Sequence, residues 1–201
     1  MVGIGTVLAD NPRLTVRLVE GRSPRRVVVD STLRIPLDAA VLGDAAADTI
    51  IATTGAAAPE RVGRLRARGA TVVTAAATPA GRVDLADLLA RLVDQGICSL
   101  MLEGGQGLIT SVLGQRLADR LIICIAPKIV GAGIEAVGDL DVARLAQALT
   151  FRRSRFYRLG PDLIFDGVLA LGRASPPAPL HRRWRGGTRL PSPSPMERGR
   201  G

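Results

Sequence analysis

The residues best suited to chemistry lie between Gly96 and Leu117, GICSLMLEGGQGLITSVLGQRL. Glu103-Gly104-Gly105-Gln106-Gly107 interrupts two regular patterns. Before it, Ile97, Ser99, Leu100, Met101 and Leu102 form a short apolar run that predicts a strand covered on both faces. After it, Leu108, Ile109, Val112, Leu113 and Leu117 recur at helical spacing. A strand–glycine–helix unit aims backbone N–H groups and the positive end of a helix dipole at one spot, which suits a phosphate. Glu103 falls at the carboxyl end of the strand, where open α/β sheets bind ligands. The same residues also fit a plain connection whose glycines only make the turn, and this stretch alone leaves both readings open.

Other chemistries are excluded by what the chain lacks. The single histidine, His181, stands among Pro, Ser, Gly and Arg near the C-terminus, which removes His-based triads, HExxH zinc chemistry and multi-histidine metal sites. Cys98 and Cys124 sit in apolar strand-like runs and read as buried, reduced thiols. No disulfide framework is expected. No apolar run approaches the ~20 residues of a membrane span, and no secretory signal opens the chain. The expectation is a soluble cytoplasmic protein with no membrane contact. The formal charge is +9, but residues 172–201 hold seven arginines and one glutamate. Two thirds of the excess therefore falls in a tail, which weakens any inference toward nucleic acid.

The elements that must position the glycine turn alternate between strand and helix. Met1–Thr6 reads as the end of a strand entering a turn, and Asn11-Pro12 as a further turn. Leu14–Arg17 resumes an extended pattern. Strands are predicted at 26–30, 49–54, 71–74 and 121–126 from their β-branched runs. Helices are predicted at 58–68, with Pro59 in the first turn, and at 84–94, with Asp84 as N-cap. Short helices are expected at 38–42 and 142–149. Residues 150–159 and 162–171 read as two antiparallel strands. The pattern gives an α/β layered domain over 1–171 with a mixed, mostly parallel sheet flanked by helices. Residues 172–201 form a Pro/Arg-rich tail without apolar period, expected to be disordered.

Five segments in order carry a family resemblance: GTVLADNPRLTVR (5–17), RVVVDSTLRIP (26–36), TIIATT (49–54), LMLEGGQGLITSVL (100–113) and IAPKIVG (125–131). Together they resemble the reductase domain of the riboflavin-biosynthesis deaminase–reductase and the stand-alone pyrimidine reductases, which share the dihydrofolate-reductase-like fold. The resemblance covers roughly Val2 to Val168. It implies NADPH-dependent reduction of a ribosylaminopyrimidine 5′-phosphate to the ribitylamino compound, hydride passing from the nicotinamide to ribose C1′. It implies cofactor contacts at Thr6, Asp10, Ser31, Gly105, Gln106, Gly107, Leu108 and Ile109. It implies substrate contacts at Leu14, Arg17 and Glu103, and no metal. Asp10 is the catalytic candidate, a carboxylate able to orient a ribose hydroxyl or relay a proton. Arg17 offers a planar fork to the substrate phosphate, and Arg34, just past Ser31, stands where an adenosine 2′-phosphate could be met.

The family opens with a further strand and helix before the GTVLAD segment. The resemblance therefore implies an N-terminally truncated reductase, lacking that pair as well as the zinc-binding deaminase domain. A homodimer and a phosphorylated pyrimidine are the expected partners, with no nucleic acid. Another NADPH reductase of the same fold, or an inactive fragment, remain as alternatives.

Overall fold

The computed structural model describes residues 1–43 and 48–170. Its centre is a four-stranded parallel sheet of order β1-β2-β3-β4. The strands are β1 (Val2–Gly3), β2 (Arg26–Val29), β3 (Thr49–Thr53) and β4 (Thr71–Thr74). In register, Val28 faces Ile51 and Ile51 faces Val72, while Val27 faces Ile50. Alternation along these strands builds a core on each side. Val28, Ile51 and Val72 pack on one face with Ile4, Val7 and Leu65. Val27, Ile50 and Val73 pack on the other with Leu88, Leu92 and Val112. Helices thus cover both faces, as parallel strands require: α1 (Ile4–Asp10) and α2 (Pro59–Ala67) on one side, α3 (Leu85–Asp94) and α4 (Gln106–Gly114) on the other. Each fully buried Val, Leu or Ile here contributes about 1.5–3 kcal/mol.

Helix α3 starts where its cap residue predicts. Asp84 accepts hydrogen bonds from the N–H groups of Ala86 and Asp87. The segment at 38–42 contracts to one 3₁₀ turn, Ala40–Leu42, and that at 142–149 to another, Leu145–Gln147.

Five expectations are corrected. Met1–Thr6 is not a strand running into a turn: the strand is two residues long and Ile4–Asp10 is helical. Ile4 and Val7 are one helical turn apart, and both are buried. Asn11 ends that helix in the left-handed region, φ 42°, and its Oδ1 accepts the Ala40 N–H at 2.7 Å. Leu14–Arg17 forms no strand; Leu14 has φ 53°.

Ile97–Leu102 is not a covered strand either. Ile97, Leu100 and Leu102 pack against the second core, but Met101 is 67% exposed. Among the described residues, Ile97 N–H turns back to Leu92 O at the end of α3, and the far end meets Met1, through Met1 N to Met101 O at 2.6 Å and Glu103 N to Met1 O at 3.0 Å. Two such bonds do not make a ladder. Cys98 and Cys124 are exposed rather than buried, because Cys98 lies on this unpaired segment and Cys124 on a strand at a sheet edge.

The predicted single mixed sheet is two sheets among the described residues. The second is antiparallel, of order β5-β7-β6, from β5 (Arg120–Ile125), β6 (Phe151–Leu159) and β7 (Asp162–Leu169). Phe151 packs edge-on against Phe165, ring centroids 4.9 Å apart, over Gly167, where a Cβ would stand 2.5 Å from the Phe151 ring. Leu171, residues 172–201 and the tail expectation that concerns them, His181 included, lie outside the described residues.

Candidate functional site

Two cavities open beside the first turn of α4 and the end of α1. The first, about 830 Å³, runs along the carboxyl ends of β1 and β2 and reaches the loop after β4. Thr6, Asp10, Ser31, Gly105, Gln106, Gly107 and Leu108 line it. The second, about 980 Å³, is lined by Leu14, Arg17 and Glu103 with Arg13, Arg25 and Arg26. Asp10 lines both, the one residue to do so among those described. Ile109 lines neither; its N–H donates to Gly105 O at 3.0 Å, inside the helix start.

The glycine turn has the geometry of an anion cradle. Gly104 and Gly105 have φ 68° and 85°, values that side-chain-bearing residues rarely adopt. Gly105 caps α4 without a side chain. Leu108 N–H and Ile109 N–H both turn back to Gly105 O, whereas the N–H groups of Gln106 and Gly107 have no acceptor among the described residues. Two free donors at the positive end of a nine-residue helix, opening into a cavity, fit a bound phosphate. The turn also lies tight against α1: a Cβ on Gly105 would come within 3.0 Å of Thr6 Oγ1.

Ser31 is held from two sides. Its carbonyl accepts from Thr53 Oγ1 at 3.1 Å and Thr54 Oγ1 at 2.9 Å. Its hydroxyl oxygen accepts the Val83 N–H at 3.0 Å, which leaves the hydroxyl proton free to donate into the cavity. Asp30, just before it, is fully buried and also lines the cavity. Its Oδ2 accepts the Ile35 N–H at 2.8 Å, while Oδ1 has no hydrogen-bond partner among the described residues.

The second cavity is strongly cationic. Arg17 is exposed at the rim, and Arg26, at the start of β2, is buried. Burial pushes the Arg26 guanidinium below its ordinary pKa, and the charge of Asp48 acts the other way. Glu103 is an exposed carboxylate in the lining of the same cavity.

Several lining residues were not legible in the spacing. Thr78, Gly81, Arg82 and Val83 reach the first cavity from a tight turn after β4. Its closing bonds run from Thr78 N to Arg82 O at 2.7 Å and from Gly81 N to Thr78 O at 2.8 Å. The turn signal was present in Thr78-Pro79-Ala80-Gly81, but nothing in the sequence joined it to Ser31. Among the described residues no group of His, Cys, Asp and Glu could hold a metal ion, and no helix is long and apolar enough to cross a membrane.

Residues 1–165 match the family model described as the RibD C-terminal domain. The chain belongs to this family. Among its relatives is the 2,5-diamino-6-ribosylamino-4(3H)-pyrimidinone 5′-phosphate reductase of Methanothermobacter thermautotrophicus, 47% identical over 172 residues, with 83% of this chain and 77% of that protein covered. The riboflavin biosynthesis protein RibD of Aquifex aeolicus is 35% identical over 165 residues, which cover 82% of this chain but 44% of that protein. The chain thus spans most of a stand-alone reductase and less than half of the RibD proteins. In three dimensions it is similar to Acinetobacter baumannii RibD, with a TM-score of 0.69 at 26% identity over 84% of this chain and 46% of that one. The fold of the RibD C-terminal domain is dihydrofolate-reductase-like, with the parallel sheet and its flanking helices in common. A family of reductases implies a nicotinamide cofactor, and the free amides of the Gly105 turn fit its phosphates.

Proposed function

We propose that this chain reduces a 2,5-diamino-6-ribosylamino-pyrimidinone 5′-phosphate to its ribitylamino product, with NADPH as the reductant, in riboflavin biosynthesis. The carrying observation is that Asp10 lines both cavities. A dinucleotide in the first and a phosphorylated sugar in the second would meet at this carboxylate.

The bound cofactor would supply the hydride to ribose C1′. The protein's part is to hold and polarise. Gln106 and Gly107 N–H would bind the diphosphate, with Thr6 and Ser31 hydroxyls alongside. Arg17 would hold the 5′-phosphate with a bidentate fork, and its neighbours Arg13 and Arg25 would add to the local positive field. Glu103 would accept N–H donors of the pyrimidine. Leu14, half-buried against the first core, would pack on the sugar or the ring. Asp10 would accept a ribose hydroxyl and relay a solvent proton as the sugar ring opens.

The test is turnover of the full chain with NADPH and the ribosylaminopyrimidine phosphate, followed by loss of reduced-nicotinamide absorbance. Product carrying a ribityl chain supports the reading; an intact, cofactor-binding protein that leaves this substrate unreduced overturns it.

The reading includes a homodimer. One face of the antiparallel sheet carries Ile123, Ile125, Phe156 and Leu163, all at least 40% exposed. Contiguous apolar surface of this kind marks an interaction site. Sedimentation of the wild type should give two chains, and Phe156→Arg should give one.

A further inference from the structure

We propose that Arg34 and Arg82 together bind the 2′-phosphate of the dinucleotide, and so set the preference for NADPH over NADH. This rests on the cofactor reading above and names the residues that would read its extra phosphate.

The strand order places these residues. The first cavity begins at β1 and the Gly105 turn and ends at the turn after β4. With strands ~4.8 Å apart, the two ends are separated by roughly 14 Å. The free amides of Gln106 and Gly107 hold the diphosphate end, which leaves the other end for the adenosine half. Arg34 and Arg82 both line that cavity and both are exposed. Among the described residues neither guanidinium has a hydrogen-bond or ion-pair partner. Among the described residues the carboxylates lining the cavity are Asp10 and Asp30, and Asp30 is buried and tied to Ile35. Two uncompensated cations facing one pocket favour a dianion over a neutral hydroxyl.

The backbone presents both side chains from fixed positions. Arg61 donates to the carbonyls on either side of Arg34, from Nε to Leu33 O and from a terminal nitrogen to Ile35 O at 2.7 Å. Leu33 and Ile35 are themselves fully buried. Arg82 is held at its carbonyl by Thr78 N–H and at its own N–H by Thr78 Oγ1, 3.2 Å away. The bond from Val83 N–H to Ser31 Oγ then ties the Arg82 turn to the loop that carries Arg34. The two arginines come from segments far apart in the chain and are brought to one cavity by that strut.

The experiment is calorimetric titration of the full chain with adenosine 2′,5′-bisphosphate and with adenosine 5′-monophosphate, which differ only by the 2′-phosphate. The wild type should bind the bisphosphate more tightly. Arg34→Ala and Arg82→Ala should each cut that preference at least about tenfold, and the double variant should abolish it. Arg34→Lys and Arg82→Lys keep the charge at exposed positions and should retain part of it. Equal binding of the two nucleotides by the wild type, or an undiminished preference in the folded double variant, overturns the proposal. Turnover with the pyrimidine phosphate is measured separately. Its absence would overturn the substrate reading and leave this preference readable, while an active double variant that still prefers NADPH would overturn the arginine proposal alone.

Discussion

Thr6 and Gly105 approach closely: a Cβ on Gly105 would stand 3.0 Å from Thr6 Oγ1, so the Thr6 side chain would have to give way. Gly105 also has φ 85° and ψ 94°, outside the region open to other residues. Gly105→Ala should therefore cost about 1–3 kcal/mol in backbone strain and tilt the first turn of α4. Gly107 is the control. It has no positive φ, and a Cβ there meets nothing within 4 Å. Gly107→Ala should stabilise the helix by about 0.5–1 kcal/mol. If the dinucleotide diphosphate lies against this turn, Gly107→Ala should nonetheless raise KM for NADPH, because the new methyl group occupies the cavity. Thermal unfolding and initial-rate kinetics on both variants separate strain from steric exclusion.

Asp10 ends α1 and faces both cavities. Asp10→Asn keeps the shape and removes the charge. A carboxylate that relays a proton should lose about a hundredfold or more in kcat on this change. KM for either substrate should change little by comparison. A variant with normal kcat would reduce Asp10 to a turn residue hydrogen-bonding its own loop.

Arg17 lines the second cavity only, so its loss should be felt by one substrate. Arg17→Ala should raise KM for the pyrimidine phosphate at least about tenfold, the size of one charge-assisted hydrogen bond. KM for NADPH should stay near the wild-type value. A rise in KM for NADPH instead would assign Arg17 to the wrong cavity.

What the sequence carried and what it concealed divide along physical lines. The parallel strands at 26–29, 49–53 and 71–74 were legible because β-branched runs buried on both faces have no other use. Asp84 announced α3 because its carboxylate is an acceptor for the first N–H groups of a helix. The helix at 4–10 was hidden by the glycine that caps it and the one in its first turn, since Gly3 and Gly5 speak for a turn. The apolar run at 97–102 looked like a strand from composition, yet a strand also needs a partner, and composition does not report partners. The candidate site followed the same rule. Its glycine turn was visible as a local motif. The turn at 78–82 lines the cavity beside Ser31, to which a hydrogen bond from Val83 ties it, 52 residues away in sequence.

Asp166 provides a pH-dependent test of the antiparallel sheet. Its side chain is 5% exposed and receives a bidentate pair from Arg120, both bonds 2.6 Å, and further bonds from Arg155. The Arg120 hydrogen bond, opposed by burial and reinforced by Arg155, lowers the Asp166 pKa from 3.8 to about 2. A depressed carboxylate pKa means that the stabilisation is fully present above about pH 4 and is lost as pH falls through 2. Thermal unfolding of the wild type should show that loss across this window. Asp166→Asn should be less stable at neutral pH and should flatten the dependence, and a variant with an unchanged acid profile would move the titration to another group.

Ser31 has two roles open to it, and they predict different measurements. As a strut, its hydroxyl oxygen satisfies the N–H of Val83, a residue only 4% exposed. Ser31→Ala would orphan that buried donor and cost about 1–3 kcal/mol. The amide of Val83 should then exchange with solvent faster, and KM for NADPH should rise because the turn at 78–82 is no longer tied to the loop at 30–35. As a direct cofactor contact only, Ser31→Ala would raise KM by the loss of one donated hydrogen bond and leave Val83 protected. Both can be read from one variant, by amide exchange without cofactor and kinetics with it. The 3.0 Å bond between them favours the strut. The expected result is therefore faster exchange at Val83 before any cofactor is added.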